Sequence, residues 1–98
     1  MRGQLSRGLE PDYVVTGNPD PNITGNYFEA EPWEEYPTYK HETLDWYIWL
    51  YDGYAFVISD IVGDFSDQYG FFSVGQIRGP YEGQGGCTGT CVATPYGE

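Results

Sequence analysis

The sequence predicts an all-β fold: a small antiparallel sheet or sandwich built around a central Asp52-Gly53 hairpin, with extended N- and C-terminal arms. Three observations predict it. No segment carries the apolar stripe of period 3.6 that a helix needs to pack on a core. Short runs rich in Val, Ile, Tyr, Phe and Trp alternate with Gly- and Pro-containing breakers. Asp52-Gly53 stands between two such runs, residues 45–51 and 54–60, and Asp-Gly between β-rich runs is a strong local hairpin signal.

Along the chain, residues 1–12 read as an N-terminal arm, 13–78 as the β domain and 79–98 as a Gly-rich C-terminal arm. Residues 13–16 form a β-branched strand that stops at Gly17-Asn18-Pro19-Asp20-Pro21. A short strand follows at 25–29, then a loop at 31–35. Residues 36–41 are extended, and Pro37 confines them to a sheet edge or a strand start. A polar turn at 64–68 precedes an aromatic strand at 69–74. The final arm holds one short strand at 91–94. There is no repeat at the periods of 20–50 residues that mark solenoids or propellers.

The hairpin carries the most information. A two-residue type I′ turn at Asp52-Gly53 sets Tyr51 opposite Tyr54, Trp49 opposite Phe56 and Tyr47 opposite Ile58. Leu50, Ile48 and Trp46 then oppose Ala55, Val57 and Ser59 on the other side. One face is aromatic, the other largely aliphatic, and neither resembles a solvated face. Two covers compete for the second face. One is folded-over loops bearing Tyr27, Trp33, Tyr36 and Tyr39; the other is a partner or ligand seated on the aromatic side.

Composition narrows the function. With 15 acidic and 4 basic residues the formal net charge is −11, so the chain lacks the cationic surface that nucleic acids and anionic membranes require. All the acids lie beyond residue 8, opposed there only by Lys40 and Arg78, whereas Arg2 and Arg7 lie before it. That layout suits a basic arm gripping an acidic neighbour, a second copy included. No apolar h-region follows the first cations, so the start does not read as a secretory signal. No run of 18 apolar residues marks a membrane span.

Catalytic and metal chemistry find little support. His41 is the sole histidine, there is no Gly-x-Ser-x-Gly elbow, and paired carboxylates are expected by chance in so acidic a chain. Asn18, Asp20 and Asn22, and Asp60, Asp64 and Asp67, put oxygen atoms in loops, but neither set has the bidentate Glu of an EF-hand. No cofactor and no metal site are expected. Cys87 and Cys91 bracket Thr88-Gly89-Thr90; a disulfide across this tight loop and two reduced thiols are both compatible with the spacing.

One resemblance sharpens the reading. The elements that carry it are Val15-Thr16-Gly17, Gly25-Asn26-Tyr27, Pro37-Thr38-Tyr39, Trp46-Tyr47-Ile48-Trp49, Asp52-Gly53, Phe56-Val57-Ile58-Ser59-Asp60 and the aromatic segment 69–73. In this order they resemble a small β module of tailed-bacteriophage virion proteins and of multi-module adhesive proteins. The chain departs from that pattern at Phe56, where a Trp is usual, and at Leu50-Tyr51, which lengthens the first hairpin strand by one residue.

The resemblance implies a structural, non-enzymatic virion accessory protein, made in the host cytoplasm. It would decorate or cement a capsid, or attach to a tail, as an oligomer or in many copies. Its partners would be major capsid or tail proteins, with Leu5, Leu9, Tyr47, Trp49, Tyr51, Tyr54 and Phe56 as contacts. The alternatives are a carbohydrate-binding module, with Trp33, Trp49 or Tyr51 stacked on sugar rings, and an acidic inhibitor that mimics DNA.

Overall fold

A computed structural model describes residues 10–65 and 69–97. Eight strands follow in chain order: β1 (Tyr13–Gly17), β2 (Gly25–Trp33), β3 (Tyr36–His41), β4 (Tyr47–Tyr51), β5 (Ala55–Ser59), β6 (Gly70–Val74), β7 (Gly79–Gln84) and β8 (Thr90–Pro95). Each pairs antiparallel with the next, and β8 returns to pair with β1 from Tyr13↔Pro95 to Gly17↔Cys91. The fold is therefore all-β, with no helix among the described residues, and it is a closed barrel rather than an open sheet or sandwich. Closure removes every sheet edge, which a small domain otherwise has to protect.

Directly opposed residues share a face, so the ladders trace the barrel interior. Val15 opposes Ala93, Tyr81 opposes Cys91, Ile58 opposes Phe71, Ile48 opposes Ile58, and Tyr27 opposes His41. These side chains, with Ile23 and Cys87, fill the lumen, and the apolar ones form one continuous core. An eight-stranded barrel has an interior just wide enough for side chains to fill. Each large one buried there contributes about 1.5–3 kcal/mol.

The C-terminal segment differs from expectation. Residues 79–95 do not trail away as an arm; they supply β7 and β8 and close the barrel. Tyr81, Cys91 and Ala93 alternate inward there. The glycines between them serve close packing rather than flexibility: a Cβ on Gly83 would lie 2.5 Å from the Cys87 carbonyl oxygen. Cys87 and Cys91 are buried thiols not joined by a disulfide. They pack as small hydrophobes in the core.

Pro37 is the second residue of β3, so of the two expected places it takes the strand start and not a sheet edge. It falls outside the short β3–β4 ladder (Tyr39↔Ile48, Lys40↔Tyr47) and opposite the β2 bulge between Ala30 and Trp33, where its missing N–H interrupts no regular pairing.

Two tyrosines anchor the barrel in the same way. Tyr27 donates its hydroxyl to the Ile23 carbonyl at 2.7 Å, and Tyr81 to the Ile77 carbonyl at 2.6 Å, each four residues upstream. The segments match as Ile-x-Gly-x-Tyr, and both glycines (Gly25 and Gly79) have positive φ. This five-residue correspondence escapes a search for longer repeats.

Candidate binding groove

The central hairpin pairs one residue out of the expected register, which keeps Tyr47, Trp49 and Tyr51 on one face but exchanges the side-chain set of the second strand. Asp52 and Gly53 both have positive φ, and the Tyr54 amide donates to the Tyr51 carbonyl, as in a type I′ turn. Tyr54 is then left over as an extra residue, and Tyr51 opposes Ala55. Trp49 therefore faces Val57 and Tyr47 faces Ser59, one step from the two-residue register. A one-residue slip moves a strand's whole side-chain set to the other face. Phe56 joins Ile48 and Ile58 toward the lumen, and Tyr47, Trp49 and Tyr51 share the outer face with Val57 and Ser59.

That outer face is covered from within the chain. Val62 and Phe65, from the connection between β5 and β6, pack on Trp49 and Val57 together with Trp33 from the β2–β3 hairpin. The Trp49 indole donates to Ser59 Oγ at 2.8 Å, and Ser59 Oγ donates to the Ile61 carbonyl at 3.1 Å. This chain of hydrogen bonds ties the covering connection to the barrel wall. Trp49 is 0% exposed, so as a contact residue it is corrected to a structural floor. Phe56 is corrected to a core-facing position. Leu5 and Leu9 lie outside the described residues.

Between the β2–β3 and β4–β5 turns the covering layer leaves a groove of about 530 Å³. Trp33, Tyr36 and Tyr51 give it aromatic walls, Trp49 its floor, and Glu34 and Asp52 a carboxylate on each turn. Trp33 stands edge-on to Trp49, ring centroids 5.2 Å apart, which fixes its orientation. Tyr36 is 47% exposed. Gly63 brings the covering connection so close to Trp33 that a Cβ there would lie 2.9 Å from the indole nitrogen.

A second hollow of about 290 Å³ adjoins across Tyr51, bounded by Tyr54, Phe65 and Phe72. Tyr54 is 52% exposed at its rim. The two hollows make one aromatic strip, with Tyr51 5.5 Å from Phe65 and 6.2 Å from Tyr54. Tyr47 lies away from the groove, half-buried, with the Lys40 ammonium 5.9 Å from its ring.

The expected contact set is thus only partly assembled: Tyr51 and Tyr54 meet at the strip, and Trp33, named above as a sugar-stacking residue, joins them. The sequence places Tyr36 in the internal cover and Glu34 in a loop, and points to neither as a groove residue. Trp33 opposes Tyr36 across a tight turn whose central residues, Glu34 and Glu35, both have positive φ. Asn-Gly or Asp-Gly is the usual signal for such a turn, and Glu-Glu hides it. The only available sign was a Trp-x-x-Tyr spacing.

Cys91 and His41, elsewhere in the barrel, are held by burial and by hydrogen bonds. Burial pushes the Cys91 thiol up to about 12, so it remains protonated at neutral pH and is a poor nucleophile. Buried His41 accepts from the Thr43 and Leu44 amides at Nδ1 and approaches the Thr24 carbonyl at 2.8 Å through Nε2. That pattern assigns its proton to Nε2. Among the described residues no group of three His, Cys, Asp or Glu side chains is placed to hold a metal ion. No helix among them is long and apolar enough to cross a membrane. Compared with known proteins, the chain matches no family model, no curated protein and no solved structure.

Proposed function

We propose that the protein is a non-catalytic binding module that acts as a structural accessory of a phage virion, adhering to a capsid or tail protein through the aromatic groove. The observation that carries this reading is the groove itself. A domain of 98 residues has limited apolar surface to bury, yet it keeps Tyr36 and Tyr54 about half exposed beside Trp33 and Tyr51. Exposed aromatic groups beside well-packed ones are the usual anchors of a recognition surface. The phage assignment rests on the ordered motifs from Val15 to Ser73 and on the acidic, Gly-rich composition.

Co-sedimentation with purified particles tests the reading. Wild-type protein is expected to pellet with capsids or tails at a fixed stoichiometry, and Tyr36→Ala with Tyr54→Ala to reduce that binding at least about tenfold, the effect of losing an anchor contact. Equal pelleting of the double variant would remove the groove as the contact surface.

A second reading, a carbohydrate-binding module, is favoured by the same walls. Three aromatic side chains flank carboxylates able to accept from sugar hydroxyls. A glycan array separates it from the first.

A further inference from the structure

We infer that the groove between the β2–β3 and β4–β5 turns receives a basic side chain, an arginine or lysine, of the partner protein. The inference rests on the binding-module reading and gives its groove an occupant. Trp33, Tyr36 and Tyr51 present aromatic rings on its sides, and Glu34 and Asp52 stand on its two lips. The face of an aromatic ring carries partial negative charge and attracts a cation within about 6 Å, most strongly when water is partly excluded. A carboxylate on each lip adds to that attraction and fixes the direction of approach.

Nothing in the described chain neutralises these groups. No cation lines the groove. No described ion pair involves Glu34, Glu35 or Asp52. The two basic residues of the described barrel are placed elsewhere: Lys40 bonds the Leu44 carbonyl and lies 3.6 Å from Asp45, and Arg78 lines a different hollow with Glu82. The surrounding charge is strongly negative, which draws a cation in and repels an anion.

Other occupants match less well. A neutral sugar would use the rings but leave the carboxylate charge uncompensated. A divalent cation wants six or more oxygen ligands, whereas only two carboxylates, Glu34 and Asp52, line this groove. An anionic ligand is repelled outright. Glu34, Glu35 and Asp52 are also the only non-glycine residues of the described chain with positive φ. Both acidic turns thus adopt a backbone for which Gly or Asn is the less strained choice.

Titration of the full-length protein with acetyl-Gly-Arg-Gly-amide, its Lys counterpart, its citrulline counterpart and a neutral oligosaccharide tests the inference, read by the Trp33 indole N–H resonance. The Arg and Lys peptides are expected to shift that resonance, with affinity falling as salt rises. Citrulline, with nearly the same shape and no charge, is expected to bind at least about tenfold more weakly. Glu34→Gln with Asp52→Asn is expected to weaken the Arg peptide by a similar factor at unchanged melting temperature.

Equal binding of Arg and citrulline, salt-independent binding, no response to the Arg peptide, or an undiminished Gln/Asn variant would overturn the inference. If particles or the oligosaccharide still bind in a Tyr36-dependent way, the binding-module reading survives that failure. If particle binding is also indifferent to Tyr36, both fall.

Discussion

Tyr27 and Tyr81 show how single residues decide whether the barrel closes. A phenol buried in an apolar lumen leaves an expensive unpaired hydroxyl unless a partner lies within reach. Each solves this by donating to a carbonyl four residues back, and each needs the glycine between to turn the chain into its strand. The two glycines differ in surroundings, which makes a test. A Cβ on Gly79 meets nothing within 4 Å, so Gly79→Ala suffers only from its φ of +114°, a loss of about 1–2 kcal/mol. A Cβ on Gly25, at φ +136°, would lie 2.7 Å from His41 Nε2 and displace the ring from the Thr24 carbonyl. Gly25→Ala is expected to lose about 2–4 kcal/mol, the backbone strain plus a broken buried hydrogen bond. Urea melts of the two variants measure the difference; equal losses would mean that His41 yields without consequence. The repeated Ile-x-Gly-x-Tyr was legible in the sequence. Its meaning was not, because a tyrosine with a reason to be buried looks, in a list of residues, like any other.

At the scale of elements, the β4–β5 pair separates what local rules can read from what they cannot. The Asp-Gly signal points to a reversal of the chain, and Asp52 and Gly53 both have positive φ where the chain reverses. It does not reveal that Tyr54 is added after the turn, because a bulged residue has no sequence signature of its own. One unseen residue is enough to exchange Phe56 for Val57 on the outer face. The same structure predicts that Tyr54 is dispensable to the fold. Deleting it leaves Tyr51 opposite Ala55 across Asp52-Gly53, a regular two-residue loop, so stability is expected to change by no more than about 1 kcal/mol. Cross-strand nuclear Overhauser contacts between Trp49 and Val57 should persist. Their replacement by contacts between Trp49 and Phe56 would show that Tyr54 sets the register. The glycine-rich segment 79–86 misleads for a related reason. Composition alone reads as a linker, whereas β7 uses small residues to let backbone pass close to backbone.

At the scale of the whole molecule, closure was the least legible feature. The β1–β8 ladder joins the two ends of the described chain, and no local propensity encodes a contact of that separation. What closure creates is a lumen holding ionisable groups away from water, and this gives the molecule a pH dependence with a definite sign. Burial pushes the Cys91 thiol from 9.0 up to about 12. Burial first, then the nearby Tyr13, Glu29 and Asp12, pushes the Tyr39 phenol from 10.0 up to about 12. Tyr27 and Tyr81 are raised further, by burial and then by Cys91. An acid whose folded pKa lies above its unfolded value keeps its proton longer in the native state. Below the unfolded value both states are protonated and stability is flat. Above it the unfolded chain releases protons first, and stability falls until the folded pKa is passed. Each fully effective group contributes a slope of about 1.4 kcal/mol per pH unit, and Tyr39, the least buried, contributes less. Urea melts are therefore expected to lose stability from about pH 9, where Cys91 begins to act, and more steeply from about pH 10, where the phenols join it. Cys91→Ala should move the onset toward the phenol range, and tyrosinate absorbance from Tyr27 and Tyr81 should rise only with unfolding. Stability that stays level to about pH 11 would show that these groups reach water in the native state, and that the barrel is not the sealed body its ladders describe.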